Sequence, residues 1–306
     1  MRLDVLGVRK CALERNECIA LYDICIYKVD IKMSKRGYKC KPMKSKTVKW
    51  VKTIDAALAE HRLMPGDASK LAGRLSWASS HMFRWVLMCS TVVCPLFCMY
   101  ASTRKLGRAM LRPIYDQQTR RDGMTSPELK RSLQWWREVL QRGLRERRAW
   151  KQENEPAVNL FCDASGYPAY LGAVLFIDGR CYYTDFAPTS ELLAMFKSRN
   201  DNQIMGLELL SISLGLCTFE RLIRGRNVIV HSDNTGSEAA IRRGTAVSMD
   251  HAQLVHKQWT HIAEQGLRIH VVRVGTHDNI ADLPSRRVRL SLSGVDVVSF
   301  LVQNVG

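Results

Sequence analysis

Four carboxylates occupy comparable places in the second half of this 306-residue sequence. Asp163 ends an apolar run, VNLFC, which a turn of Ser165, Gly166 and Pro168 joins to a second run, YLGAVLFI. Asp233 closes another, NVIVHS, and Asp282 follows the last one in IADLPSR. Glu208 lies between Leu207 and Leu209, one turn into a long apolar stretch. A carboxylate where a strand leaves its sheet is costly unless it is hydrated, paired or bound to a cation. Each of the four, taken alone, reads as a turn or cap residue. Together, on strand, helix, strand and helix, they point to one shared site. Carboxylates that converge repel unless cations neutralise them. A donor set of hard oxygens suits Mg²⁺ or Mn²⁺. Two such ions about 4 Å apart activate a water and stabilise the leaving oxygen in phosphodiester hydrolysis.

The elements that must position these acids follow from pattern. Short β-rich runs joined by turn residues predict strands over 157–162 and 170–177. The Asp178-Gly179 turn leads to a third strand over 180–186. A polar loop, 187–202, precedes a helix over 203–222 whose face is Ile204, Leu207, Leu210, Ile212, Leu214 and Leu216. A fourth strand spans 227–232, followed by a helix capped by Asn234 or Thr235. Asp250 is the expected cap of a helix over 251–265, and the last strand covers 267–274. The order βββαβααβα describes a mixed α/β domain. If the first and fourth strands are sheet neighbours, Asp163 and Asp233 emerge side by side.

Residues 157–290 resemble a type 1 ribonuclease H domain of a retroelement. The resemblance rests on FCDASGYPAYLGAV, GLELL, VIVHSDN and NIADLPSR. It implies a ribonuclease H-like five-stranded mixed sheet with helices on both sides. It also implies Mg²⁺-dependent cleavage of the RNA strand in RNA–DNA hybrids, leaving 5′-phosphate ends. The family's four acids carry over onto Asp163, Glu208, Asp233 and Asp282. NIADLPSR is similar to the short-spaced versions in DIRS-like elements and pararetroviruses. Many members use a His before the last acid, and His277, five residues before Asp282, is the candidate. The alternative for His277 is an ordinary solvated loop residue. A transposase or integrase of the same fold would want Glu on the last helix, where this chain has Asp282. A catalytically inactive nucleic-acid-binding remnant is the other alternative.

The charge is uneven. Residues 1–150 hold 31 Lys and Arg against 13 Asp and Glu, a net +18, whereas 151–306 hold 15 against 16. A cationic module beside a balanced one suggests a grip on a polyanion. Lys28 to Lys52 alone carries ten Lys and Arg and one acid, Asp30. Candidate contacts to the nucleic-acid backbone are Lys41, Lys44, Lys46, Arg108, Arg112, Arg145 and Arg148. Helical spacing is expected over 47–63, and a second helix is expected behind Asp67. The segment 106–150 reads as basic and helical, with Trp135 and Trp136 either in the core or stacking on bases. These stretches (KLAGRLSWASSHMF, LGRAMLRPIYD, SLQWWREVL) resemble the thumb and connection that follow a reverse transcriptase palm. The adjacent aspartates of the polymerase motif are absent, so polymerisation is not expected. In this reading 1–150 is the connection-like remnant, 85–105 an apolar insertion, 151–290 the ribonuclease H-like domain and 291–306 a tail.

Ten cysteines without a repeating spacing fit a reducing compartment, cytoplasm or nucleus, rather than secretion. Pro95 and the lack of a second span argue against a membrane crossing at 85–101. Cys89, Cys94 and Cys98 have no His partner pattern for zinc.

Overall fold

The computed structural model describes residues 29–34, 37–42, 44–82, 105–142, 147–149, 156–199 and 203–300. The chain divides into two compact units, one of residues up to 97 plus 110–153, the other of 98–109 plus 154–306.

In the first unit, β1 (Val29–Ser34) and β2 (Gly37–Pro42) pair antiparallel, with Lys32 opposite Lys39. β3 (Arg147–Ala149) joins β2, with Lys39 opposite Arg147. This third strand breaks the expectation of helix throughout 106–150; three residues are too few for alternation to show. The expected helix over 47–63 ends early. α1 (Lys44–Ala59) stops before His61, whose φ of 52° no helix continues. α2 (Pro65–Met82) then starts on a proline, which needs no N–H partner there, with Asp67 in its first turn. Ile54, Ala57, Leu63, Ala68, Leu71 and Leu75 form the buried side of this pair. α3 (Arg108–Gln117) contains Pro113, and the Met110 carbonyl accepts from Trp136 Nε1 at 3.2 Å and from the Ser132 hydroxyl of α4 (Pro127–Arg142). Trp136 is fully buried and Trp135 stands edge-on to it at 4.9 Å. Most of the apolar segment 85–105, along with Cys89, Cys94 and Cys98, lies outside the described residues. Among the described residues no helix is long and apolar enough to cross a membrane.

The second unit is an α/β fold, a mixed sheet of six strands with helices on both faces. Its strands are β4 (Val158–Gly166), β5 (Ala169–Ile177), β6 (Arg180–Phe186), β7 (Asn227–Ser232), β8 (Arg268–Arg273) and β9 (Val297–Ser299). They form one mixed sheet in the order β8-β7-β4-β5-β6-β9. The first five are the strands expected from sequence. β9 is a sixth, parallel to β6, and was not legible at three residues. Of the residues read as a tail, Leu292, Val295 and Val297 pack with Leu290 and Ala281 on Val174, Cys181 and Tyr183.

The helices are α5 (Ser190–Leu193), α6 (Ile204–Thr218), α7 (Glu220–Ile223), α8 (Thr235–Arg243), α9 (Met249–Glu264) and α10 (Asp282–Ser285). α6 is apolar on nearly every side because sheet and helix both cover it. It packs on β4 and β5, with α9 behind it, while α8 lies on β7 and β8. α10 covers the other face of the sheet. Adjacent strand residues point to opposite faces: Ala173 meets Gly215 of α6, and Gly172 meets α10. α9 is capped by Ser248 rather than by the expected Asp250. Asp250 sits in the first turn and accepts the Lys197 N–H at 2.9 Å and the Arg199 guanidinium at 2.8 and 2.7 Å.

Candidate metal centre

β4 is the switch strand of the sheet, antiparallel to β5 on one side and parallel to β7 on the other. The β4–β7 ladder ends at Phe161 opposite His231. Asp163 and Asp233 each stand two residues past that last pair. The rings of Phe161 and His231 stack at 4.2 Å, and His231 Nε2 lies 3.0 Å from Asn159 Oδ1. His231 is therefore a packing residue under the site rather than a member of it.

Glu208 arrives from α6. The ligand oxygens of Asp163, Glu208 and Asp233 lie within 4.8 Å of one another, Asp163 and Glu208 buried and Asp233 half-buried. Three all-oxygen donors so close together could hold a metal ion. Asp163 is fixed at both oxygens. Asn279 Nδ2 donates to Oδ1 at 3.3 Å and to the Cys162 carbonyl at 3.0 Å, and the Ser285 hydroxyl donates to Oδ2 at 2.5 Å. Glu208 accepts the Ala164 backbone N–H, but its Oε2 is buried with no hydrogen-bond partner. A buried carboxylate oxygen left open among two other carboxylates fits a cation.

The electrostatics agree. Burial, then Asp163 and Asp233, push Glu208 up to about 9. Burial raises Asp163 to about 6, with Asp233 and Asp282 adding to the rise and the Ser285 hydrogen bond opposing it. A bound cation would reverse the sign of these effects.

The remaining sequence candidates are placed differently. Asp282 begins α10 and its Oδ1 accepts Arg286 Nε at 2.7 Å, so it acts on Asp163 from outside the three-acid cluster. His277 is exposed on a 3₁₀ turn, Thr276–Asp278, and is not in the cluster. Asn279 and Ser285 are the residues that sequence reasoning missed. Both lie inside NIADLPSR, but only their contacts with Asp163, 116 and 122 residues away, reveal a role. Gly172 is a third. It pairs with Asp163 across the β4–β5 ladder. A Cβ there would fall 2.5 Å from the Ser285 backbone nitrogen and 2.7 Å from the Ala281 carbonyl oxygen. Only a glycine lets α10 approach closely enough to hand Ser285 to Asp163.

Within the first unit, α1 and α2 enclose a groove of ≈ 450 Å³ lined by Lys46, Trp50, Ser69, Lys70, Gly73, Arg74 and Trp77. The two indoles meet edge to face at 6.0 Å, and the Lys46 ammonium lies 6.0 Å from the Trp77 ring centre. Nothing stands within 4 Å of where a Gly73 side chain would begin, which leaves the floor open. Cations around aromatic rings suit a nucleic-acid strand. Of the seven basic candidates, only Lys46 lies here. Lys41 and Arg148 are on β2 and β3, Lys44 begins α1, and Arg145 lies outside the described residues. Arg112 faces Asp116 at 3.7 Å, and Arg108 donates to the Arg243 carbonyl at 3.2 Å. Lys70 and Arg74 were missed, although their i, i+4 spacing on α2 puts them on one face.

Neither a protein-family model nor a curated protein matches this chain. Among solved structures the chain is similar to a foamy viral protease-reverse transcriptase in complex with dsDNA, with a TM-score of 0.29 and 12% identity over 80% of this chain. The chain spans about half of that protein, 45% of its length.

Proposed function

We propose that this protein is a metal-dependent endonuclease that hydrolyses the RNA strand of RNA–DNA hybrids. The observation that carries the reading is the convergence of Asp163, Glu208 and Asp233 just past the end of the β4–β7 ladder. Asp163, Glu208 and Asp233 would hold one Mg²⁺ or Mn²⁺, and Asp163 with Asp282 a second. The ions would neutralise charge that develops on the attacking and leaving oxygens of the phosphodiester. Asn279 and Ser285 hold the Asp163 carboxylate in one orientation before substrate arrives. Burial of Asp163 and Glu208 keeps water from competing for their oxygens. The groove of Lys46, Lys70 and Arg74 would track the hybrid backbone without reading base edges.

The test is cleavage by the full chain of an RNA-labelled hybrid beside duplex DNA and single-stranded RNA, with and without Mg²⁺. The reading expects cuts in the RNA of the hybrid alone, only with metal. Asp233→Asn keeps the size of the side chain and removes a charge the ions need. It should slow cleavage by more than about 100-fold, beyond what loss of an outer partner does, while hybrid affinity stays near wild type. An Asp233→Asn protein that cuts as fast as wild type would remove this acid from the site.

A further inference from the structure

The second unit carries a cluster of cations at the other end of α8 from the acids. α8 starts beside Asp233 and ends at Gly244, a left-handed C-cap with φ of 73°. Nine residues at 1.5 Å each set the two ends about 13 Å apart. Lys105 lies against that cap so tightly that a Cβ on Gly244 would fall 2.4 Å from its own Cβ. Its half-buried ammonium sits 5.0 Å from the ring centre of Trp259 of α9. Arg108 donates to the Arg243 carbonyl at 3.2 Å. Arg242 donates from Nε and Nη2 to the Val271 carbonyl on β8, the edge strand, at 3.2 and 2.8 Å, and its Nη1 meets Glu238 at 3.0 Å.

The carbonyl end of a helix attracts cations, and that accounts for Arg108 and Arg243. It does not account for Lys105. A helix C-terminus would raise the pKa of an ammonium, yet Lys105 is driven down to about 8, first by burial and then by Arg108 and Arg242. His270 of β8 is lowered too, by burial and then by Arg242 and Lys105. Among the described residues, the charged groups that act on Lys105 are two cations and no acid. Lys105, Arg108 and Arg242 thus gather around the Gly244 cap against one named acid, Glu238, which meets Arg242 at 3.0 Å, and an anion would relieve the remaining charge.

We propose that Lys105, Arg108 and Arg242 form a phosphate-binding site, and that its ligand is a phosphodiester group of a nucleic-acid backbone. The phosphate chemistry stands on the cluster itself. The nucleic-acid source rests on the function proposed above, and 13 Å along α8 makes it a different phosphate from the one at the acids. Arg108 and Arg242 supply planar, exposed guanidinium donors, and Lys105 a point charge beside the Trp259 indole.

Calorimetric titration of the metal-free full chain with inorganic phosphate, and hybrid affinity across a salt series, test both parts. For wild type, the expected results are phosphate binding and a salt slope about 0.9 steeper than that of Lys105→Gln or Arg242→Gln. Each of these variants should bind phosphate at least about tenfold more weakly, as loss of one charge-assisted partner implies. Lys105→Arg should keep both properties. Melting temperature separates this from a structural role. Lys105→Gln relieves like-charge repulsion and should melt no lower than wild type, whereas a lysine that merely supports Trp259 would melt lower when replaced. Phosphate binding with an unchanged hybrid slope would keep the site and overturn its nucleic-acid ligand. A shallower hybrid slope without binding of free phosphate would support the backbone as ligand. Neither effect, or a clear drop in melting temperature with both bindings intact, would overturn the proposal. None of these readouts depends on cleavage, so an inactive protein would leave the phosphate result standing.

Discussion

The acids of the site carry a proton load that makes stability depend on pH. Asp163 near 6 and Glu208 near 9 both lie above their ordinary values. The folded chain therefore holds these protons more tightly than the unfolded chain does. That contribution is fully present below about pH 4, and it is lost as pH rises through about 6 and then about 9. In EDTA the melting temperature should fall across this range. Mg²⁺ binds the deprotonated native site, so the gain in melting temperature on adding it should grow with pH. Melts that ignore tens of millimolar Mg²⁺ from pH 6 to 9 would argue against a metal site. At this scale the sequence showed a good deal. Asp163, Glu208 and Asp233 were legible because each ends or interrupts an apolar run of the sequence, where a charge needs a reason, although β4 runs on past Asp163 to Gly166. Asn279 and Ser285 were not, because a polar residue in a loop is ordinary until its partner is seen across more than a hundred residues. Asp282 was legible as an acid but not as a partner of Arg286, since i, i+4 pairing is common on any helix.

Among the elements, α10 is the most consequential piece for its size. Four residues, Asp282–Ser285, deliver Ser285 to Asp163 and place Asp282 beside the cluster. They reach it because Gly172 leaves the strand bare at the register position of Asp163. Gly172→Ala would press a methyl group into backbone atoms that cannot turn away as a side chain would. Overpacking of this kind costs about 1–3 kcal/mol. The variant should melt several degrees lower, and its Mn²⁺ affinity should fall by more than the loss of stability alone produces. Equal Mn²⁺ affinity in a destabilised variant would show that α10 braces the sheet without positioning Asp163. The five main strands and α6, α8 and α9 could be read from periodicity and caps, within a few residues. What could not be read was short or tertiary: β3 and β9 at three residues each, the one-turn α5 and α10, and the replacement of Asp250 as cap by Ser248. Asp250 is instead bound to Arg199 and Lys197 N–H, which tie the chain ahead of α6 to the start of α9. Nothing local distinguishes those two uses of an aspartate.

For the whole molecule, charge was the clearest signal in the sequence and the least specific about place. The net +18 of residues 1–150 was visible at once, but of the seven basic residues singled out from it only Lys46 lines the groove of the first unit. The groove with two indoles does gather three cations, Lys46, Lys70 and Arg74. Replacing all three with Gln in the full chain should weaken hybrid binding and make its salt dependence shallower, by up to about 0.9 in slope for each phosphate that is no longer neutralised. Cut positions in the RNA should not move, because the acids that choose the scissile bond lie in the other unit. An unchanged slope would mean that this groove does not touch nucleic acid. The balanced charge of the second half also conceals structure. Its acids cluster just past the end of the β4–β7 ladder, whereas Arg242, Arg268, His270 and Arg273 lie along or against the β8 edge.

Whether Asp163, Glu208 and Asp233 hold a divalent cation is the claim on which the enzymatic reading depends, and it can be seen directly. Crystals of the full chain soaked in millimolar Mn²⁺ and measured at the manganese absorption edge would locate the ion by its anomalous signal. A peak is expected about 2–2.5 Å from carboxylate oxygens of all three residues, absent in Asp233→Asn crystals soaked in the same way. A wild-type map with no peak among these acids, or with manganese bound only elsewhere on the chain, would contradict it.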